Sequence, residues 1–207
     1  MNTRRLTIMA MLIAIYSVLS ILTPVKLGNF KFTFEAFPIL VASLLLGPGS
    51  GLIVGGVGSF IYQLLFSGYG ITATTVLWII PHAISGLIVG LYAKKNSFNL
   101  SFIQTVFITS ISAICVTSLN ILALYIDSKV YGYYSYAMVF GNILFKIIVG
   151  IILAIIYSLT VPKLIKLLKV SYKGIEWYSY FYIISINNKL EVIIDVKRYW
   201  NCSKLYP

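Results

Sequence analysis

Residues 36–66 read AFPILVASLLLGPGSGLIVGGVGSFIYQLLF, two apolar runs separated by the breaker Gly-Pro-Gly-Ser-Gly at 47–51. A helix needs about 20 apolar residues to cross a bilayer. The first run, 36–46, is therefore too short to span upright, whereas the second run, which continues to residue 66, is long enough. We predict two membrane helices joined by a tight turn. One kinked helix over the whole stretch is the alternative.

The sequence on both sides of this stretch is equally apolar. Further spans are predicted at 6–23, 72–92, 102–126 and 138–161. Only 10% of the 207 residues are charged, whereas soluble proteins have about 25%. The predicted fold class is therefore an all-α integral membrane protein, a six-transmembrane-helix bundle. The N-terminal span at 6–23, which follows Arg4 and Arg5, also resembles a signal peptide, but no small-residue cleavage site follows it.

The charge of the chain is strongly basic, with 16 Lys and Arg against 5 Asp and Glu. The basic residues lie between the apolar runs rather than along one polar face, so no nucleic-acid partner is predicted. Lys and Arg are enriched in the cytoplasmic loops of membrane proteins. We predict a cytoplasmic N-terminus, because this orientation places more basic residues inside than outside. The cytoplasmic basic residues are then Arg4, Arg5, Lys94, Lys95, Lys163, Lys166 and Lys169, and the outer ones are Lys26, Lys31 and Lys129.

The C-terminal part of the chain differs from the rest. Pro162 is predicted to stop the sixth span, and Lys163, Lys166 and Lys169 then recur every three residues, as on a helix at the membrane surface. Residues 171–207 mix charged, aromatic and polar residues without a clear period. We predict a transmembrane domain at 1–170 and a C-terminal polar and aromatic tail at 171–207. Because the tail has no hydrophobic period, the sequence predicts no secondary structure for it.

The side chains available for catalysis are few. One His and two Cys cannot form a His/Cys metal cluster, and neither Cys115 nor Cys202 belongs to a paired redox motif. Nucleotide-binding motifs are also missing from the sequence. A Ser50–His82 dyad is the enzyme alternative, but the predicted spans place the two residues at different depths. We predict no enzyme activity, no metal and no cofactor.

Lys146 is the most informative residue, because a Lys inside a span usually faces an interior or a cavity. No acidic residue lies at the same depth in any predicted span, and Glu35 and Asp127 are predicted near the outer surface. Other polar and aromatic residues do share its predicted depth: Trp78, His82, Asn120 and Asn142. We predict that these five form a water-accessible pocket for a planar, partly anionic small molecule. The alternative is that Lys146 extends to the outer headgroups.

Small residues four apart let helices approach closely. Such pairs occur at Gly51 and Gly55 and at Gly86 and Gly90, for which we predict internal packing of the third and fourth spans. A similar pair, Ala10 and Ala14, lies on the first span. It predicts either an internal helix contact or a docking groove for another membrane protein.

The motif Arg5-Leu6-x-x-x-Ala10-x-x-x-Ala14 resembles the S components of energy-coupling factor (ECF) vitamin transporters. So do the run Lys31-Phe-Thr-Phe-Glu-Ala-Phe-Pro38 and the following Leu46-Gly47-Pro48. The resemblance covers residues 4–169. It implies that the two alanines dock onto the transmembrane coupling subunit, which sits on two ATPase subunits. It also implies that the loop between the first two spans, with Phe32, Phe34 and Glu35, is a gate over an outward-facing pocket.

The predicted function is high-affinity capture of a vitamin and its delivery into the cell, with the chain as a multi-pass protein of a bacterial plasma membrane. The pattern Phe-Pro-x-Leu, Leu-Leu-Gly-Pro and a following Gly is similar to the folate branch of this family. Many members of that branch carry an acid in the third span, where this chain has Gly58-Ser59-Phe60. Riboflavin, pantothenate and other vitamins therefore stay open. The alternative function is a stand-alone secondary carrier or channel. A proton-coupled carrier usually has buried carboxylates, and we predict none inside this bundle.

Overall fold

The structure is a computed structural model. It describes the backbone at 3–22, 25–27, 30–32, 34–66, 71–141 and 143–187, and the side chains at 3–22, 34–66, 71–141 and 143–166. The chain divides into two compact units, Met1–Ile165 and Lys166–Pro207. In the second unit the described part is helical backbone as far as Asn187. The helix contacts and the cavity described here belong to the first unit. The predicted boundary at residue 170 stays a prediction.

The chain order of the elements follows the predicted spans. The elements are α1 Thr3–Leu22, β1 Val25–Leu27, β2 Phe30–Phe32, α2 Ala36–Leu46, α3 Pro48–Phe66, α4 Thr75–Lys95, α5 Phe102–Val130, α6 Tyr136–Phe140 and α7 Ile143–Asn187. Within the described residues, five helical stretches are long and apolar enough to cross a membrane: Thr3–Leu22, Pro48–Phe66, Thr75–Lys95, Phe102–Val130 and Tyr136–Lys166. With the shorter apolar α2, they confirm the predicted helical membrane bundle. The predicted stop at Pro162 is wrong, because α7 continues through it.

The break between α2 and α3 lies at Gly47, whose φ of 94° is in the left-handed region that favours glycine. A Cβ atom on Gly51 would collide with the hydroxyl of Ser43, so the two helices fold back on each other. This confirms the two-helix prediction and excludes one kinked helix. Arg5 pins the turn, because its guanidinium donates to the Leu46 carbonyl at 2.9 Å and to Ser50 Oγ at 2.7 and 2.9 Å.

The two glycine pairs lie at the contact between α3 and α4, as predicted. A Cβ on Gly51 would lie 2.6 Å from the Gly86 carbonyl oxygen, and a Cβ on Gly86 would overlap the backbone of Gly51. Gly55 meets the His82 carbonyl, and Gly90 meets the backbone of Pro48. The backbones therefore pack directly against each other, which only glycine allows at this separation.

Buried hydroxyls connect the remaining helices. Ser43 donates to the Gly86 carbonyl at 2.9 Å and so joins α2 to α4. Ser85 and Ser112 share a hydrogen bond of 2.7 Å between α4 and α5. Thr109 and Ser158 share one of 2.9 Å between α5 and α7. These bonds satisfy hydroxyl groups that would otherwise be buried without partners, and they set which turns of the helices face each other.

Two ends of the bundle are distinguished by their residues. The basic end carries Arg4, Arg5, Lys94 and Lys95. The tyrosine end carries Tyr131, Tyr133, Tyr134 and Tyr136, which follow α5. A short antiparallel hairpin, β1–β2, lies between α1 and α2, with Lys26 opposite Lys31. Because α2 has only 11 residues, it rises about 16 Å from the basic end, roughly half of a hydrocarbon core of about 30 Å.

Candidate ligand-binding cavity

A cavity of about 970 Å³ lies between α1–α5 and α7. Its volume is at the upper end of the range of small-molecule sites, about 300–1,000 Å³. The exposed side chains of Tyr131 and Tyr133 line it at the tyrosine end, and Thr109 lines it deep in the bundle. Thr109 and Asp127 both line the cavity, and the helical rise between them along α5 is about 27 Å. The cavity is therefore elongated along the bundle axis.

The predicted pocket residues Trp78, His82, Asn120 and Lys146 all line this cavity. The fifth, Asn142, lies outside the described residues. The antiparallel helices α5 and α7 meet at Thr109 and Ser158, and continuing the same register places Asn120 opposite Lys146. The structure therefore brings the four side chains to one cavity, while their role in ligand binding stays a prediction.

Glu35 differs most from its predicted position. Its Oε2 accepts a hydrogen bond from Ser20 Oγ at 3.0 Å, and its Oε1 lies 3.6 Å from His82 Nε2. The two side chains are only 19% and 12% exposed. The expectation that Glu35 lies near the outer surface is wrong, because the short α2 starts about half-way along the bundle. The expectation of no carboxylate inside the bundle is wrong for the same reason.

The phenylalanines on either side of Glu35 contact Tyr157, although Phe34 itself is 41% exposed. The ring centroid of Phe34 lies 6.5 Å from that of Tyr157, and the centroid of Phe37 lies 6.3 Å from it. The backbone of Phe32 belongs to β2, and its side chain lies outside the described residues. The predicted gate therefore ends in side chains that contact the cavity wall, and its gating role stays a prediction. The length of the 36–46 run was the sequence signal for this depth.

The Ser50–His82 pair is not assembled. Ser50 binds Arg5 at the basic end, whereas His82 lies beside Glu35 and makes an edge-to-face contact with Tyr16, with centroids 6.0 Å apart. The side chains also offer little to a metal: no group of three or more His, Cys, Asp or Glu suited to one occurs in the part of the chain that the structure describes.

Two buried polar atoms in the cavity wall have no hydrogen-bond partner among the described residues, Asn120 Oδ1 and the hydroxyl of Tyr157. Tyr157 is only 5% exposed. A buried polar group without a partner costs about 1–3 kcal/mol, so each atom indicates a place for a ligand or a water molecule. Sequence reasoning missed Tyr157, although a tyrosine in the middle of an apolar span is itself a signal.

Asp127 connects the elements at the tyrosine end of the bundle. It accepts hydrogen bonds from the hydroxyls of Thr74 and Tyr133, which joins the start of α4 to the end of α5 and the tyrosine loop. The ammonium of Lys129 lies 4.0 Å from the ring centroid of Tyr134. These contacts fix the aromatic loop beside the cavity entrance.

Ala10 and Ala14 lie on an uncovered face of α1. Both are exposed, and their neighbour Met11 is 61% exposed. Met9 and Tyr16 are buried on the opposite face. The alternative of an internal helix contact is therefore wrong for the described part of the chain, and a continuous apolar face with small residues at its centre is available.

The comparisons with known proteins agree with this architecture. Residues 4–161 match the family model of the ECF transporter, substrate-specific component. The fold is similar to the crystal structure of FolT bound with folic acid, with a TM-score of 0.62 and 21% identity over 78% of this chain and 92% of that chain. It is also similar to the S component for biotin from an ECF-type ABC transporter, with a TM-score of 0.60 and 20% identity over 79% and 92%.

A third similar structure is the S component of a bacterial ECF transporter, with a TM-score of 0.60 and 27% identity over 82% of this chain and 99% of that chain. The search of curated proteins gives no match. The family model covers most of the chain, and its members are transporter components rather than enzymes. This chain therefore belongs to the family of substrate-specific components of ECF transporters, the integral membrane subunits that bind the transported substrate.

Proposed function

We propose that this chain captures a vitamin in the cavity between α1–α5 and α7, with folate as the first candidate. The observation that carries the proposal is the combination of Trp78, Asn120 and Lys146 in one cavity of about 970 Å³. An aromatic ring, an amide and a cation suit a flat molecule with a negative charge. The likeness to FolT bound with folic acid supports the same candidate.

Delivery requires partners. ECF transporters combine a substrate-specific component with a transmembrane and ATPase module. We propose that the exposed face around Ala10 and Ala14 docks onto the coupling subunit, which carries two ATPase subunits. The basic end with Arg5, Lys94 and Lys95 then faces the cytoplasm, and the cavity opens to the outside. The membrane is the plasma membrane of a bacterium.

A stand-alone carrier is the second candidate, and the mostly buried Glu35 is the observation that favours it, because carriers use such carboxylates as proton sites. The family argues against this function, since its members are components of larger importers. The two candidates differ in whether the chain transports alone.

Ligand identity is tested on the detergent-purified protein. Native mass spectrometry finds any co-purified vitamin, and calorimetry then measures folate, biotin, riboflavin and pantothenate against the emptied protein. We expect one of them, folate first, to bind one to one with a dissociation constant below about 1 µM, or at least 8 kcal/mol. No co-purified vitamin together with no measurable binding of the four would contradict the proposal.

A further inference from the structure

The cavity has two chemically different poles. The deep pole contains the Glu35 carboxylate, His82 and the Tyr157 hydroxyl. The outer pole contains Lys146 and Asn120. Acceptor groups thus dominate one level of the cavity and a cation the other.

The separation of the poles follows from helix geometry. Tyr157 lies 11 residues along α7 from Lys146, or about 16 Å. Glu35 contacts His82, and its neighbour Phe34 contacts Tyr157. Lys146 and Tyr157, one from each pole, are therefore about 16 Å apart along the bundle, a distance that an extended molecule can bridge.

The deep pole is suited to groups that donate hydrogen bonds. A carboxylate has about four acceptor positions, and among the described residues Glu35 accepts one hydrogen bond, from Ser20. The contact with His82, at 3.6 Å, is longer than a hydrogen bond. Tyr157 adds a hydroxyl that is 5% exposed and has no partner among the described residues. A heterocycle with adjacent N–H groups and ring acceptors would satisfy both side chains.

The outer pole is suited to an anion. Lys146 supplies the positive charge, and Asn120 presents an oxygen without a partner in the described residues. The acidic group nearest the entrance, Asp127, is engaged by Thr74 and Tyr133. A carboxylate at this level therefore meets a cation and an amide rather than a free acid.

Resting on the proposed capture of a vitamin, we propose that the ligand is an elongated molecule with an N–H-donating heterocycle at Glu35 and Tyr157 and a carboxylate at Lys146. Folate and biotin belong to this class. Riboflavin has no carboxylate, and pantothenate has no heterocycle. The inference fixes the direction of the bound molecule, with the heterocycle deep and the carboxylate toward the tyrosine end.

The test pairs two variants with two forms of the ligand. Folic acid and biotin, each as free acid and as methyl ester, are titrated into the wild type, Glu35→Gln and Lys146→Ala. For whichever acid binds, the wild type prefers the acid over the ester by about 10-fold or more, and Lys146→Ala removes that preference. Glu35→Gln weakens acid and ester by the same factor, about 10- to 100-fold. Lys94→Ala, at the basic end, changes nothing.

A second variant controls for folding. Tyr157→Phe removes a hydroxyl that has no partner among the described residues, so its denaturation midpoint equals or exceeds that of the wild type while ligand affinity falls. Unchanged ligand affinity in both Glu35→Gln and Tyr157→Phe overturns the placement of the heterocycle at the deep pole. A preference for the acid over the ester that persists in Lys146→Ala overturns the placement of the carboxylate at the outer pole. If only riboflavin or pantothenate binds, this inference fails and vitamin capture stands. If none of the four binds, vitamin capture fails and the inference falls with it.

Discussion

At the scale of single residues, the contact between Gly51 and Gly86 leaves no room for a side chain. A Cβ on Gly86 would overlap the backbone of Gly51, and backbone atoms cannot move aside as a flexible side chain can. Gly49 lies one residue into α3 and has nothing within 4 Å of an added Cβ. The two positions therefore form a matched pair for testing the packing of α3 against α4.

We expect Gly86→Ala to lower the free energy of unfolding by about 1–3 kcal/mol, because overpacking a tight contact forces the backbones apart. Gly49→Ala adds the same methyl group in open space and is expected to change it by less than about 0.5 kcal/mol. Denaturation of both variants in mixed micelles measures the difference. Equal midpoints for the two variants would show that the glycine contact does not set the helix separation.

Single residues also mark the limit of sequence reasoning. Lys146 was identified because a cation inside an apolar run is costly and therefore informative. Glu35 was assigned to a loop because it precedes its helix, and sequence position alone does not give depth in the membrane. Tyr157 was missed although it is a tyrosine within an apolar span, and only the packed structure shows that its hydroxyl is buried without a partner among the described residues. The chemistry of each residue was readable, whereas its partners depended on how the helices pack.

At the scale of elements, α1 has two faces with different tasks. Its buried face, with Met9, Leu12 and Tyr16, packs into the bundle. Its other face exposes Ala10 and Ala14. A helix face with small residues permits close approach of a partner helix, and the structure offers no internal partner for it in the described residues.

Trp at both positions, Ala10→Trp with Ala14→Trp, is expected to abolish co-purification with the coupling subunit and transport. Ligand affinity of the isolated protein should stay within about threefold, below 1 kcal/mol, because the face lies outside the cavity. Thr160→Trp, on an exposed position of α7, is the control and should leave complex formation intact. A double variant that still forms the complex, or one that loses ligand binding instead, would reverse the assignment of this face.

Element boundaries show why some predictions held. Apolar runs and breakers located five long helices and the turn at Gly47, since both signals are local. The continuation of α7 through Pro162 was not predicted. Pro removes one backbone hydrogen bond, and neighbouring groups in a membrane protein can compensate for it. The hairpin β1–β2 was predicted only as the loop between the first two spans.

At the scale of the whole molecule, the bundle has the form of a binding protein with a cavity that is closed at one end. Its cavity reaches from the tyrosine end to the level of Thr109, while the basic end is closed by Arg5, Ser50 and the tight packing of α3 on α4. Transport through a bundle closed at one end requires a rearrangement. In ECF transporters, the ATPase module supplies the energy for such a rearrangement.

The central claim is that this chain binds the substrate by itself but transports it only with that module. The most direct measurement is uptake of radiolabelled folate, or of the vitamin identified by mass spectrometry, into proteoliposomes. Vesicles contain the chain alone, the chain with the coupling subunit and ATPases, or that complex without ATP. We predict uptake only for the complete complex with ATP, and binding without uptake for the chain alone. Uptake at the full rate by the chain alone would contradict the account and identify a stand-alone carrier.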